Sequence, residues 1–214
     1  MNASEKAYTT LKEDILSTAL EPGTVIGEVE QSERLGVSRT PLRAALERLK
    51  AEGLVVSGET RGNVVAPVSW EKVDQLYELR SALDPLAASL AALRGDSSHF
   101  MDLHERFLLA AQTVGSDSTD LTSYYTLVEE LDRSIDEAAN NDYLTQAQAS
   151  LRVQLIRVRK LSKTNRERLE QAAHEHALIA RSIAHKDSQL AQAITTVHLK
   201  NSLENIKQTI APHR

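Results

Sequence analysis

Apolar residues recur at helical spacing from the start of the chain. Tyr8, Leu11, Ile15 and Leu16 fall on one face and predict a helix over about residues 4–19, closed by the turn Glu21-Pro22-Gly23-Thr24. A short helix at about 28–35 follows, then a Gly36-Val37 corner. A third helix runs from Arg39 to Ala51 and stops at Gly53. The period then changes. "LVVS" and "NVVAPV" flank "GETRG", and β-branched runs on either side of a glycine-rich turn predict a short hairpin. Beyond Pro67 only helical spacing remains. Leu76, Leu79, Leu83, Leu86, Leu90 and Leu93 mark a helix opening at Trp70 behind a Ser69 cap, with a kink expected at Pro85. Further helices are predicted at about 97–114, 121–139, 142–162, 166–185 and 188–209, with Val114 to Asp120 as the clearest loop.

The pattern predicts a mainly α protein in two parts. Residues 1–68 form a winged helix-turn-helix of three helices plus a β-hairpin, and residues 69–214 an all-α antiparallel helical bundle. Composition narrows the chemistry. Apolar residues make up 41% of the chain and aromatics only 4%, so the cores are aliphatic. With no cysteine, disulfides and thiolate metal sites are excluded. No apolar run approaches the ~20 residues of a membrane-spanning helix, and "MNASEKAYTTLKEDIL" lacks a signal-peptide core, so a cytoplasmic protein is expected.

The net charge is -5, and residues 1–68 hold eight basic against ten acidic side chains. Contact with nucleic acid must therefore come from a local concentration of charge. One segment supplies it. In "RLGVSRTPLRAALERLKAEGLV", Gly36 permits a sharp turn, Ser38 stands at the N-cap and Pro41 in the first turn. Leu42, Ala45, Leu46 and Leu49 form the buried stripe, while Arg39, Thr40 and Arg43 lie off it near the helix start. In a helix-turn-helix that end enters the major groove, where arginine can grip guanine O6 and N7. The hairpin tip, Thr60, Arg61 and Gly62, reads as a wing.

These residues, with "AYTTLKEDILSTALEPGTVI" and the Gly62 to Val65 ending, resemble the winged helix of GntR-family bacterial transcription regulators over Tyr8 to Val68. The resemblance implies DNA contacts from Arg34, Ser38, Arg39, Thr40, Arg43 and Gly62. Gln31-Ser32 departs from the family's Leu-Ala and implies a looser second helix. Arg48 and Lys50, further along, read as a solvated face.

"VDQLYELRSALDPLAASLAA" and "EHALIARSIAHKDSQLAQAITTVHL" resemble the FCD ligand-binding domain of the FadR subfamily, and six predicted helices suggest its VanR-like variant. The family often holds a divalent metal on an Asp and three His, a donor set suited to Zn, Ni or Mn. His176 and His198 fall at two of the histidine positions. "VEELDRSIDEAANNDYL" allows two registers for the rest. One aligns Asn141 with a family Asn, puts Asp132 in place of a His and Val128 in place of the Asp. The other takes Asp132 as the Asp and Asp136 in place of the His. The site is then either Asp132, His176 and His198 with a metal, or a metal-free cavity where His176 and His198 meet the effector directly. A carboxylate or sugar-acid effector is implied; Arg80 and Arg152, each beside apolar stripe residues, are either its guanidinium partners or members of surface or interhelix salt bridges. His104, His174, His185 and His213 are expected to face solvent. So is the basic run Arg152, Arg157, Arg159, Lys160, Lys163, Arg166, Arg168.

The resemblance also implies a homodimer on a near-palindromic double-stranded DNA operator, commonly with repression relieved by effector. Two rivals are a metal hydrolase and a ligand-binding scaffold whose winged helix holds protein. Neither HExxH nor Gly-x-Ser-x-Gly is present to support the first, and the Arg39-Thr40-Arg43 cluster argues against the second.

Overall fold

The computed structural model describes residues 2–58, 62–115, 121–161 and 165–210. The expected wing tip at Thr60 and Arg61, most of the 114–120 loop, Lys163 and His213 lie outside the described residues. The chain divides into two units. One is Met1–Ser69 with Arg152–Arg157, the other Trp70–Leu151 with Val158–Arg214.

In the first unit the elements run α1 (Ala3–Ser17), β1 (Val25–Ile26), α2 (Glu28–Leu35), α3 (Arg39–Ala51), β2 (Val55–Ser57) and β3 (Asn63–Val65). The Asn2 side chain accepts from the Glu5 N–H at 2.8 Å and starts α1, and Thr18 at φ 68° ends it. Leu11, Ile15, Leu42, Leu46 and Leu49 interlock α1 with α3, and Ile26, Leu54 and Val65 close the core from the sheet. The sheet differs from expectation. The hairpin β2-β3 forms, but β1 adds itself to β3, giving the antiparallel order β1-β3-β2. Two residues are too few for a period-2 signal, so β1 cannot be read from the chain.

The second unit contains, among the described residues, six helices: α4 (Trp70–Arg94), α5 (Ser97–Val114), α6 (Thr122–Ala139), α7 (Asp142–Leu161), α8 (Arg166–Ala184) and α9 (Ser188–Ile210). Helix α4 continues through Pro85, whose ring is buried. Phe100, Leu103 and Phe107 of α5 meet Leu131 of α6 and Ala173, Ala177, Ala180 and Ile183 of α8 in the core. The small residues on α8 bring the helices close, and the few aromatics fill the remaining depth.

Candidate functional sites

The exposed start of α3 is built by its corner. Gly36 sits at φ 65°, a left-handed conformation that reverses the chain between α2 and α3 at little steric cost. Ser38 then occupies the N-cap position with extended backbone, but its hydroxyl makes no capping hydrogen bond. The expected side-chain cap is therefore corrected: Ser38 is exposed and its hydroxyl stays available to an outside partner. Arg39, Thr40 and Arg43 are exposed beside it, while Leu42, Ala45 and Leu46 face the core. Arg43 Nε donates to Glu28 at 2.8 Å, a pair in solvent that yields readily to a stronger anion. Arg39 has no ion-pair partner among the described residues. Gly62, at φ 148°, accepts from the Gly58 N–H at 3.0 Å and closes the base of the hairpin turn.

Arg34 behaves differently from its neighbours. Its Nε donates to Gln31 Oε1 at 2.7 Å and an Nη to Asp14 at 2.6 Å, tying α2 to α1. The first of these bonds satisfies Oε1 of the buried Gln31, whereas the Ser32 hydroxyl beside it is buried without a hydrogen-bond partner. Arg48 stacks 3.7 Å from the Tyr8 ring centroid and pairs with Glu5, and Lys50 pairs with Glu47.

In the second unit, α4, α6, α8 and α9 enclose a cleft of about 550 Å³ including its mouth. Tyr77, Arg80, Tyr124, Tyr125, Arg168, His176, His198, Ser202 and Asn205 supply its polar wall. The cationic residues on it are Arg80 and Arg168, and among the described residues no acidic side chain lines it. Arg80 is buried against Asp84, at 2.8 Å, and over the Tyr77 ring; Gln148 holds the other Asp84 oxygen at 3.0 Å. Burial opposes the Arg80 charge, but Asp84, Tyr77 and Asp132 outweigh it and raise its pKa.

Arg168 is fixed at the start of α8, where its backbone N–H donates to the Asn165 cap at 3.0 Å. One Nη donates to Glu175 Oε2 at 2.6 Å and to Ser202 Oγ at 3.1 Å. Its Nε and other Nη are buried without a hydrogen-bond partner. Glu175 Oε2 also takes the Nδ1 of His198 at 2.6 Å, and Oε1 accepts from Asn201 at 2.7 Å. Burial would raise the Glu175 pKa, yet His198, Asn201 and Arg168 together lower it, so the group is a carboxylate. A carboxylate only accepts, so Nδ1 of His198 carries the proton. Burial, with the nearby Arg168 and Arg80 charges, outweighs Glu175 and lowers the His198 pKa. The ring is thus neutral at pH 7, and its Nε2 is a lone-pair acceptor. His176 packs against it with ring centroids 4.5 Å apart, and its Nδ1 lies 3.3 Å from the Tyr124 hydroxyl.

The expected metal set does not come together. Among the described residues no group of three or more His, Cys, Asp or Glu could hold a metal ion. His176 and His198 meet, but Asp132 and Asp136 are absent from the wall, and Val128 lines it instead. Each guanidinium on the wall is already paired with a carboxylate, Arg80 with Asp84 at 2.8 Å and Arg168 with Glu175 at 2.6 Å. Arg152 is a second correction: it does not line the cleft and groups with the first unit. Two members of the basic run expected in solvent are buried. Arg168 is on the cleft wall, and Arg157 donates to the Ala66 carbonyl within the first unit. His104 is likewise not solvent-facing, since its Nδ1 bonds the Ala177 carbonyl at 2.9 Å, whereas His174 and His185 are exposed. Sequence reading missed Arg168 and Glu175. The spacing 168, 172, 176 puts Arg168 on the His176 face of one helix and was the available signal.

Residues 3–65 match the bacterial regulatory proteins, gntR family, and residues 75–201 match the FCD domain. The HTH-type transcriptional repressor RspR of Escherichia coli is 25% identical over 96% of this chain and 89% of its own. The uncharacterized HTH-type transcriptional regulator YdhC of Bacillus subtilis is 24% identical over 95% and 90%. Among solved structures, a putative transcriptional regulator GntR from Rhodococcus sp. RHA1 superposes with a TM-score of 0.74 over 99% of both chains at 17% identity, a likeness of fold.

Proposed function

The chain belongs to the gntR family of bacterial regulatory proteins and carries an FCD domain, and from that premise we propose a dimeric repressor that reads a near-palindromic operator and is governed by a small anionic effector. One observation carries the DNA-reading part. Ser38, Arg39, Thr40 and Arg43 are exposed together at the start of α3, directly after the Gly36 corner. Arg39 and Arg43 read bases or clamp phosphates, and Ser38 and Thr40 hold phosphate. Gly62 lets the wing backbone approach the sugar-phosphate chain. Arg34 acts one step back, bracing the corner through Gln31 and Asp14.

The dimer rests on α4. Leu79, Leu86 and Leu93 are 46%, 45% and 62% exposed, and Leu83 and Leu90 are half-buried between them. Their alternating four- and three-residue steps make a heptad seam, self-complementary across a two-fold axis. A second copy of α4 is the occupant that matches this periodicity. Effector in the cleft then changes operator affinity to the extent that it binds the DNA-competent arrangement differently from the other.

The test is an electrophoretic mobility shift of the purified protein on its own upstream DNA against scrambled DNA. A sequence-selective shift that weakens steeply with salt is expected. Equal binding to both DNAs would refute the reading.

A further inference from the structure

We propose that Glu28 is a positioning residue that sets the selectivity of Arg43: it holds the guanidinium by Nε, leaves the Nη groups to a base edge, and disfavours the same arginine on a phosphate. Glu28 acts through Arg43, so the DNA-reading assignment above is its premise.

Glu28 is the first residue of α2, and Arg43 lies in the second turn of α3. The carboxylate thus reaches the reading helix from the other helix of the pair. Arg43 Nε donates to Glu28 Oε2 at 2.8 Å, and neither Nη has a hydrogen-bond partner among the described residues. With Nε taken, the open edge of the fork is the one between the two Nη groups, at the far end of the side chain. That edge presents two N–H donors, as guanine O6 and N7 require. The exposures agree with an anchor and a reader. The Glu28 side chain is 29% exposed and that of Arg43 65%. Glu28 also stands in the first turn of α2, where the free backbone N–H groups favour a negative side chain.

A base edge is neutral, so Arg43 can bind it while Glu28 stays attached. A phosphate is an anion and competes with Glu28 for the same guanidinium. In solvent the pair is weak and opens, but the carboxylate left behind then faces the phosphate and repels it. That repulsion grows as the duplex displaces water. Every stretch of DNA offers phosphates, whereas only the operator offers the matching base. A carboxylate in this place therefore weakens non-specific contact more than specific contact.

The test measures the full-length protein by fluorescence anisotropy on its own upstream DNA and on scrambled DNA of the same composition. Selectivity is the ratio of the two affinities. Glu28→Gln keeps the size of the side chain and removes its charge. It should tighten binding to scrambled DNA and lower selectivity by at least about threefold, the scale of one exposed ion pair. Glu30→Gln makes the same charge change in the same turn, on an exposed side chain with no ion pair among the described residues. It should shift both DNAs by an equal factor. In an Arg43→Ala background, Glu28→Gln should likewise leave selectivity unchanged, because the residue it acts through is gone. Circular dichroism verifies that each variant is folded. A selectivity loss smaller than threefold in Glu28→Gln would overturn the proposal. So would an equal loss in Glu30→Gln or in the Arg43→Ala background. A parent protein that binds both DNAs equally would refute the regulator reading itself, and a selective parent with an unaltered Glu28→Gln variant would refute the role of Glu28 alone.

Discussion

Replacing Glu175 with glutamine removes one charge and little else, which makes its cost calculable. Oε2 accepts from Arg168 and His198 and Oε1 from Asn201. A glutamine placed with its oxygen toward Arg168 keeps the first two bonds, and an Asn201 flip keeps the third. What is lost is charge assistance. Hydrogen bonds to a charged group contribute about 1.5–3 kcal/mol against about 0.5–1.5 kcal/mol for neutral ones. Two bonds each weakened by about 1 kcal/mol, plus an Arg168 cation left without a counter-charge, give about 2–3 kcal/mol of destabilisation. For a chain of this size each kcal/mol moves Tm by about 2–4 °C, so Glu175→Gln should melt about 4–12 °C lower at pH 7.5. Thermal denaturation followed at 222 nm measures it. A Tm within about 1 °C of the parent would mean that Glu175 is not the hub of a buried network, and the reasoning about the Arg168 wall would fail with it.

Arg39→Ala and Arg43→Ala should each weaken operator binding by about 1–3 kcal/mol if the side chain makes a bidentate base contact. Tm should hardly move, because Arg39 is unpaired among the described residues and the Arg43–Glu28 pair is solvent-exposed. Unchanged affinity on fluorescence anisotropy would reject that contact. Leu86→Glu puts a charge on the α4 seam and should shift the protein from dimer to monomer in sedimentation velocity, with little change in helicity; a persistent dimer would place the interface elsewhere. Stability should also fall with acid in two stages. His198 has a folded pKa below its ordinary 6.5, so its contribution is complete above that value and is lost as pH drops through the folded pKa. Glu175, lowered from 4.5, adds a loss as pH falls below that value; urea midpoints measured from pH 8 down to about pH 2.5 should follow this course in the parent and lack the Glu175 stage in Glu175→Gln.

The chain by itself determined whatever depends on local periodicity and local chemistry. Apolar spacing fixed the helices and the faces they bury. Gly36, being glycine, fixed the corner that aims α3, and the charge left off the Leu42-Ala45-Leu46-Leu49 stripe marked Arg39 and Arg43. His176 and His198 were traceable to the cleft wall through the family resemblance, and Arg80 through its place beside the apolar stripe of α4. What lies across from a residue was decided only by tertiary structure. Arg168 sits in a basic run that looks solvated, and nothing local says that Ser202 and His198 arrive beside it from α9, or that Glu175 gathers both. Arg152 and Arg168 look alike in the sequence, yet one is absent from the cleft wall and the other is on it. Helical periodicity determines which direction a side chain points along its own helix. The cost of burying its charge depends on partners from other helices, and those are fixed only when the bundle closes.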